Sequence, residues 1–197
     1  MRKKILISIF VILFLILVAG GGFFWWQRRG IKGSPTDYVI KETAEGKIVE
    51  NKRAGLTVKV PEGWIEKKIE LFEGSVIFDT PEIEGRMEDN MVKPPLKRGC
   101  GMESAVVYKK FDLDELKGEI KEIHAGLGIK SEEFEIITIN GRQALKNTFD
   151  SKFIGPGMAI YFFNKNKLYS FAVYWAPDEK EKCIQGFNKF LETVSIK

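Results

Sequence analysis

Histidine and cysteine are scarce in this chain: 197 residues include one histidine, His124, and two cysteines, Cys100 and Cys183. So few nitrogen and sulfur ligands argue against a four-ligand zinc centre. No serine sits in a G-x-S-x-G turn, so no hydrolase-type nucleophile is marked. The acids Glu82, Glu84, Glu88 and Asp89 share one loop but lack the D-x-[DN]-x-[DN]-G spacing that holds calcium. A basic excess on the folded part is missing too. Residues 1–33 hold six basic residues and no acid; removing them leaves 25 basic against 27 acidic residues, a net of −2. That charge does not suit a nucleic-acid footprint. No catalytic, metal or cofactor site is therefore expected.

Charge is also absent from Ile5 to Trp26, a run of 22 residues. As a helix it is roughly 33 Å long, enough for a hydrocarbon core of about 30 Å. Phe23, Phe24, Trp25 and Trp26, followed by Arg28 and Arg29, have the order of an interfacial belt. Residues 1–27 are expected to form an uncleaved signal-anchor and not a cleaved signal peptide, since bulky aromatics directly follow the small residues of Val18–Gly22. The expected location is a single pass through the cell membrane, with the C-terminal domain outside the cytoplasm.

Residues 28–46 read as tether and lead-in, and residues 47–197 as the globular domain. Leu56, Val58 and Val60 alternate with polar residues before Pro61-Glu62-Gly63, which predicts a half-buried strand. Residues 75–82 predict a second strand, and residues 81–101 a long loop of the kind that is often functional. Asp112 and Glu115 open a predicted helix over 112–127, striped by Leu113, Leu116, Ile120, Ile123 and Leu127. Asn140-Gly141 predicts a type I′ hairpin. Two aromatic strands follow, in which Tyr161, Phe162, Phe163, Tyr169, Phe171, Tyr174 and Trp175 read as core in preference to a ligand cavity. Ile184, Phe187, Phe190, Leu191 and Val194 stripe a final helix. The elements describe an α+β domain on an antiparallel sheet.

"GLTVKVPEGW", "FDTPE", "ITINGRQAL" and the terminal "FNKFLETV", in that order, resemble the PsbP-like superfamily, which includes PsbP and DcrB-type bacterial envelope proteins. The resemblance covers about residues 47–197. It implies an α-β-α sandwich with a central antiparallel sheet, here preceded by the N-terminal transmembrane helix. It also implies an accessory or binding role without catalysis, with the membrane and an unknown protein or envelope component as partners. The alternative is a small-ligand or lipid carrier, or a small enzyme, using a pocket beside the 81–101 loop.

Cys100, between Gly99 and Gly101, has the look of an exposed nucleophile. The residues leave three readings: a disulfide to Cys183, two free structural thiols, or a reactive thiol with Lys97 and Arg98 beside it. In an α-β-α sandwich a bridge from strand end to terminal helix is feasible, and an extracytoplasmic compartment favours oxidation. The disulfide is the expectation.

Overall fold

The structure, a computed structural model, describes residues 31–69, 74–85, 95–110, 112–126, 128–131, 134–151 and 155–197. The charge-free run and its belt, Phe23, Phe24, Trp25, Trp26, Arg28 and Arg29, lie outside them. Residues 32–197 make one compact unit. Its strands are β1 (Tyr38–Thr43), β2 (Gly46–Asn51), β3 (Leu56–Lys59), β4 (Ile65–Ile69), β5 (Ser75–Asp79) and β6 (Cys100–Tyr108). Helix α1 (Leu113–Gly126) follows, then β7 (Ile129–Ser131), β8 (Glu135–Ile139), β9 (Arg142–Ser151), β10 (Gly157–Asn164) and β11 (Lys167–Trp175). Helix α2 (Lys180–Glu192) and β12 (Ser195–Ile196) end the chain.

The large sheet runs β4-β5-β6-β11-β10-β9, and β9 carries both β8 and β7 along its far edge. These neighbours pair antiparallel. The central strands are hydrophobic on both faces because both are covered. On one face α1 sets Leu116 and Ile120 against Leu145 and Leu168. On the other, α2 sets Phe187 and Phe190 against Phe78 and Phe171, with ring centroids 5.2 Å apart for Phe78–Phe190 and 5.9 Å for Phe171–Phe190. Full burial of such a ring is worth about 1.5–3 kcal/mol.

The expected α-β-α sandwich needs correcting. The molecule is mostly antiparallel strand in two sheets, with two helices among the described residues. Beside α2 lies a second sheet of order β12-β3-β2-β1, so that outer layer is half helix and half sheet. The cause is the lead-in. Tyr38 and Val49 point inward, both about 1% exposed, and residues 38–43 pair with 46–51 across a tight turn. No described helix is long and apolar enough to cross a membrane.

Local signals fare better. Asn140 and Gly141 both take positive φ, 51° and 73°, as a type I′ turn requires. The Asp112 carboxylate accepts the Glu115 amide hydrogen at 2.7 Å, capping α1. The α1 stripe is shorter than its pattern, however: Leu116 and Ile120 are buried, but Ile123 is 58% exposed.

Candidate functional site

Cys100 begins β6 and Cys183 lies in the first turns of α2; they form a disulfide with Cα atoms 5.5 Å apart, and both are fully buried. The neighbourhood shows why the chain turns here. Gly99 has φ 83°, and a Cβ on it would come within 2.6 Å of Thr80 Oγ1 and 2.9 Å of Ile83 Cα. Only glycine fits. The Gly99 amide donates to Glu179 Oε1 at 2.8 Å, and Lys182 Nζ donates to Glu82 at 2.6 Å and to Glu179 at 3.3 Å. The Lys182 hydrogen bond holds the Glu82 carboxyl below its ordinary range, and the Gly99 amide does the same for Glu179. The ends of the 81–101 loop also pair with each other, Glu84 with Arg98. Both thiols are thus consumed, and the base of the loop is sealed. Glu88 and Asp89 lie outside the described residues.

His124 packs its ring against Phe149, centroids 5.6 Å apart, and burial lowers its pKa below the ordinary histidine value. No group of three or more potential metal ligands occurs among the described residues. Trp64 lies against the α2 backbone at Gly186 and serves as packing. Phe162, Tyr169, Phe171 and Trp175 are core; Tyr161, Phe163 and Tyr174 are partly buried on the opposite face.

A polar seam joins the two sheets. Asn51 Oδ1 accepts the Ala54 amide at 2.9 Å and the Tyr108 hydroxyl at 3.5 Å. Tyr169 donates to the Ala54 carbonyl at 2.6 Å, and Lys167 Nζ reaches the same oxygen at 3.0 Å. Burial raises the Tyr169 pKa to about 12, so it stays a neutral donor, and burial raises that of Tyr38 as well. These groups satisfy backbone where two sheets meet, which is a structural task.

A groove of about 370 Å³ opens between α2 and strands β8–β10. Ile137 and Ile139 of β8 and Met158 and Ile160 of β10 form its floor, and Ile184 and Leu191 of α2 its wall. Lys146 and Lys180 stand at one end. An adjoining hollow of about 450 Å³ shares Thr148, Trp175 and Lys180 with it. Lys146 is paired with Glu135 at 2.8 Å; Lys180 Nζ lies 5.8 Å from the Trp175 ring centre. Asn140 Nδ2 donates to the Leu191 carbonyl at 3.2 Å, fixing the other end of the groove against the β8–β9 turn. The groove exists because α2 covers the middle of its face of the sheet and leaves β8 and β9 without a helix on that face. Its floor was readable as strand pattern; the gap above it had no sequence signal.

No protein-family model and no curated protein matches the chain. Solved structures do. CyanoP, the cyanobacterial PsbP of Synechocystis sp. PCC 6803, is 12% identical with a TM-score of 0.51, over 82% of this chain and 93% of its own. PA94 of Pseudomonas aeruginosa, a protein of unknown function described as a putative regulator, is 11% identical with a TM-score of 0.48, over 81% and 97%. LpqN of Mycobacterium tuberculosis, involved in cell envelope biogenesis, is 13% identical with a TM-score of 0.44, over 72% and 83%. The likeness to CyanoP spans nearly all of both domains, and the fold of this chain is PsbP-like.

Proposed function

We propose that this chain is a non-catalytic accessory domain of the cell envelope, working outside the cytoplasm and binding a protein or envelope component in the groove between α2 and β8–β10. The observation that carries the reading is the groove itself. Its floor and wall are aliphatic, its polar groups are two lysines, a threonine and an asparagine, and no nucleophile–base pair lines it. The buried Cys100–Cys183 bridge supports an oxidising compartment, where such bonds persist.

The test is site-specific photocrosslinking in intact cells, with benzoylphenylalanine at Ile184 in the groove or at Lys67 on the opposite sheet edge. Adducts that form from position 184 and not from 67 are expected. Identical adducts from both positions, or none from 184, overturn the reading. Mass spectrometry of alkylated protein from the same cells should find the 100–183 bridge; two alkylated thiols would remove the compartment assignment.

A further inference from the structure

We propose that the outer edge of β8 takes up an extended peptide segment of a partner protein as an added antiparallel strand, with apolar residues at alternate positions and acidic groups toward its C-terminal end. This deepens the binding reading above and rests on it. The hydrogen-bond phase follows from the turn. Ile139 and Arg142 face each other across the two-residue Asn140-Gly141 turn, with Ile137 opposite Ala144 and Glu135 opposite Lys146. In such a hairpin the pair flanking the turn exchanges both backbone bonds, and bonded pairs then alternate. Glu135, Ile137 and Ile139 therefore spend their backbone groups on β9. The N–H and C=O of Ile136 and Thr138 point outward, and no described strand pairs with that edge.

That edge lacks the protection edges usually carry. It has no proline, no lysine and no bulge; its five residues pair with β9 without interruption. Glu135 is held by Lys146. Ile136 is 56% exposed and Thr138 is exposed. The side chains of Ile137 and Ile139, meanwhile, form the groove floor. An added strand sets every second side chain about 5 Å from them, on the face that opens toward Ile184 and Leu191. Backbone bonds then provide affinity and the groove provides side-chain selection.

Charge gives the direction. Lys146 and Lys180 mark the Glu135 end of β8, and Leu191 marks the Asn140 end. An antiparallel strand brings its C-terminal half to the lysines. Lys180 is the first residue of α2, where a cation opposes the helix dipole, and no described carboxylate forms an ion pair with it. A second copy of this chain fits less well. Antiparallel β8–β8 pairing would set the Asn140–Arg142 turn, with its cation, at the end that already carries two lysines.

The probe is a soluble decapeptide alternating leucine and threonine and closed by two glutamates, compared with its sequence-reversed form, each titrated into the full chain. Binding should add hydrogen-exchange protection at the Ile136 and Thr138 amides, and the C-terminal glutamates should be preferred. Thr138→Pro removes an outward donor without touching the β8–β9 ladder. It should weaken binding at least tenfold while the thermal unfolding curve stays cooperative. Ile136→Lys, which charges the edge, should do the same and covers the case in which the proline variant fails to fold. Lys180→Glu should reverse the preference between the two peptides. The proposal is overturned by undetectable binding at millimolar peptide, by protection elsewhere than at 136 and 138, or by full affinity in Ile136→Lys. Self-association that Ile136→Lys abolishes would assign the edge to a second copy and overturn it equally. If crosslinks from position 184 persist in Ile136→Lys, the groove still binds and only the strand-addition account is lost.

Discussion

The two flanks of α2 are packed differently. Toward β5 and β6 the helix is sealed by a disulfide, by the Phe78–Phe171–Phe187–Phe190 stack and by the Glu82–Lys182–Glu179 cluster over the loop base. Toward β8–β10 it leaves aliphatic side chains in an open groove. The sealed flank lets the open one exist, because the helix is held firmly enough from one side to leave the other uncovered.

The largest effects should fall on the sealed flank. Phe187→Ala removes a fully buried ring and should cost about 3–5 kcal/mol in denaturant unfolding. The double change Cys100→Ser and Cys183→Ser opens a loop closed across 83 positions and should cost about 2–5 kcal/mol. Equal losses from Ile184→Ala would break the contrast, since that side chain is only half-buried and should cost well under half as much as Phe187. Tyr169→Phe, at the seam between the sheets, should cost about 1 kcal/mol, because Lys167 still serves the Ala54 carbonyl. Smallest is the acid dependence of the loop base. The Glu82 and Glu179 carboxyls are lowered in the folded chain, so what they add to stability is present above the ordinary carboxylate range. It is lost as pH falls through their folded values. Urea unfolding between pH 3 and 6 should show a shallower acid decline in Glu179→Gln; an unchanged slope would mean that the disulfide alone seals that flank.

What the sequence made legible was local or strongly periodic. Asn140-Gly141, the Asp112 cap, the aromatic strands and the α2 stripe each depend on a few neighbouring residues. The cysteines were legible as a pair because there were only two of them. The second sheet was not. Its pairings join 38–43 to 46–51 and 56–57 to 195–196, and residues 38–46 carry too few apolar side chains to announce a strand. The groove was hidden for another reason. Ile137 and Ile139 look the same in a sequence whether a helix covers them or not, so an uncovered surface appears only once the layers are placed. The closed base of residues 81–101, where Glu84 pairs with Arg98 and the Cys100 amide donates to Thr80 Oγ1, had no sequence signal either.

One bond also decides how the domain would respond to force. A chain pulled from its two ends cannot extend the segment between Cys100 and Cys183 while that bridge holds. The segment contains β6 through β11 and α1, the greater part of the large sheet. At about 3.4 Å per residue, roughly 280 Å of contour would stay hidden from the load. Under tension the second sheet, β4 and β5 ahead of Cys100 and the part of α2 beyond Cys183 could unravel, and the β8 edge would lie inside the protected loop.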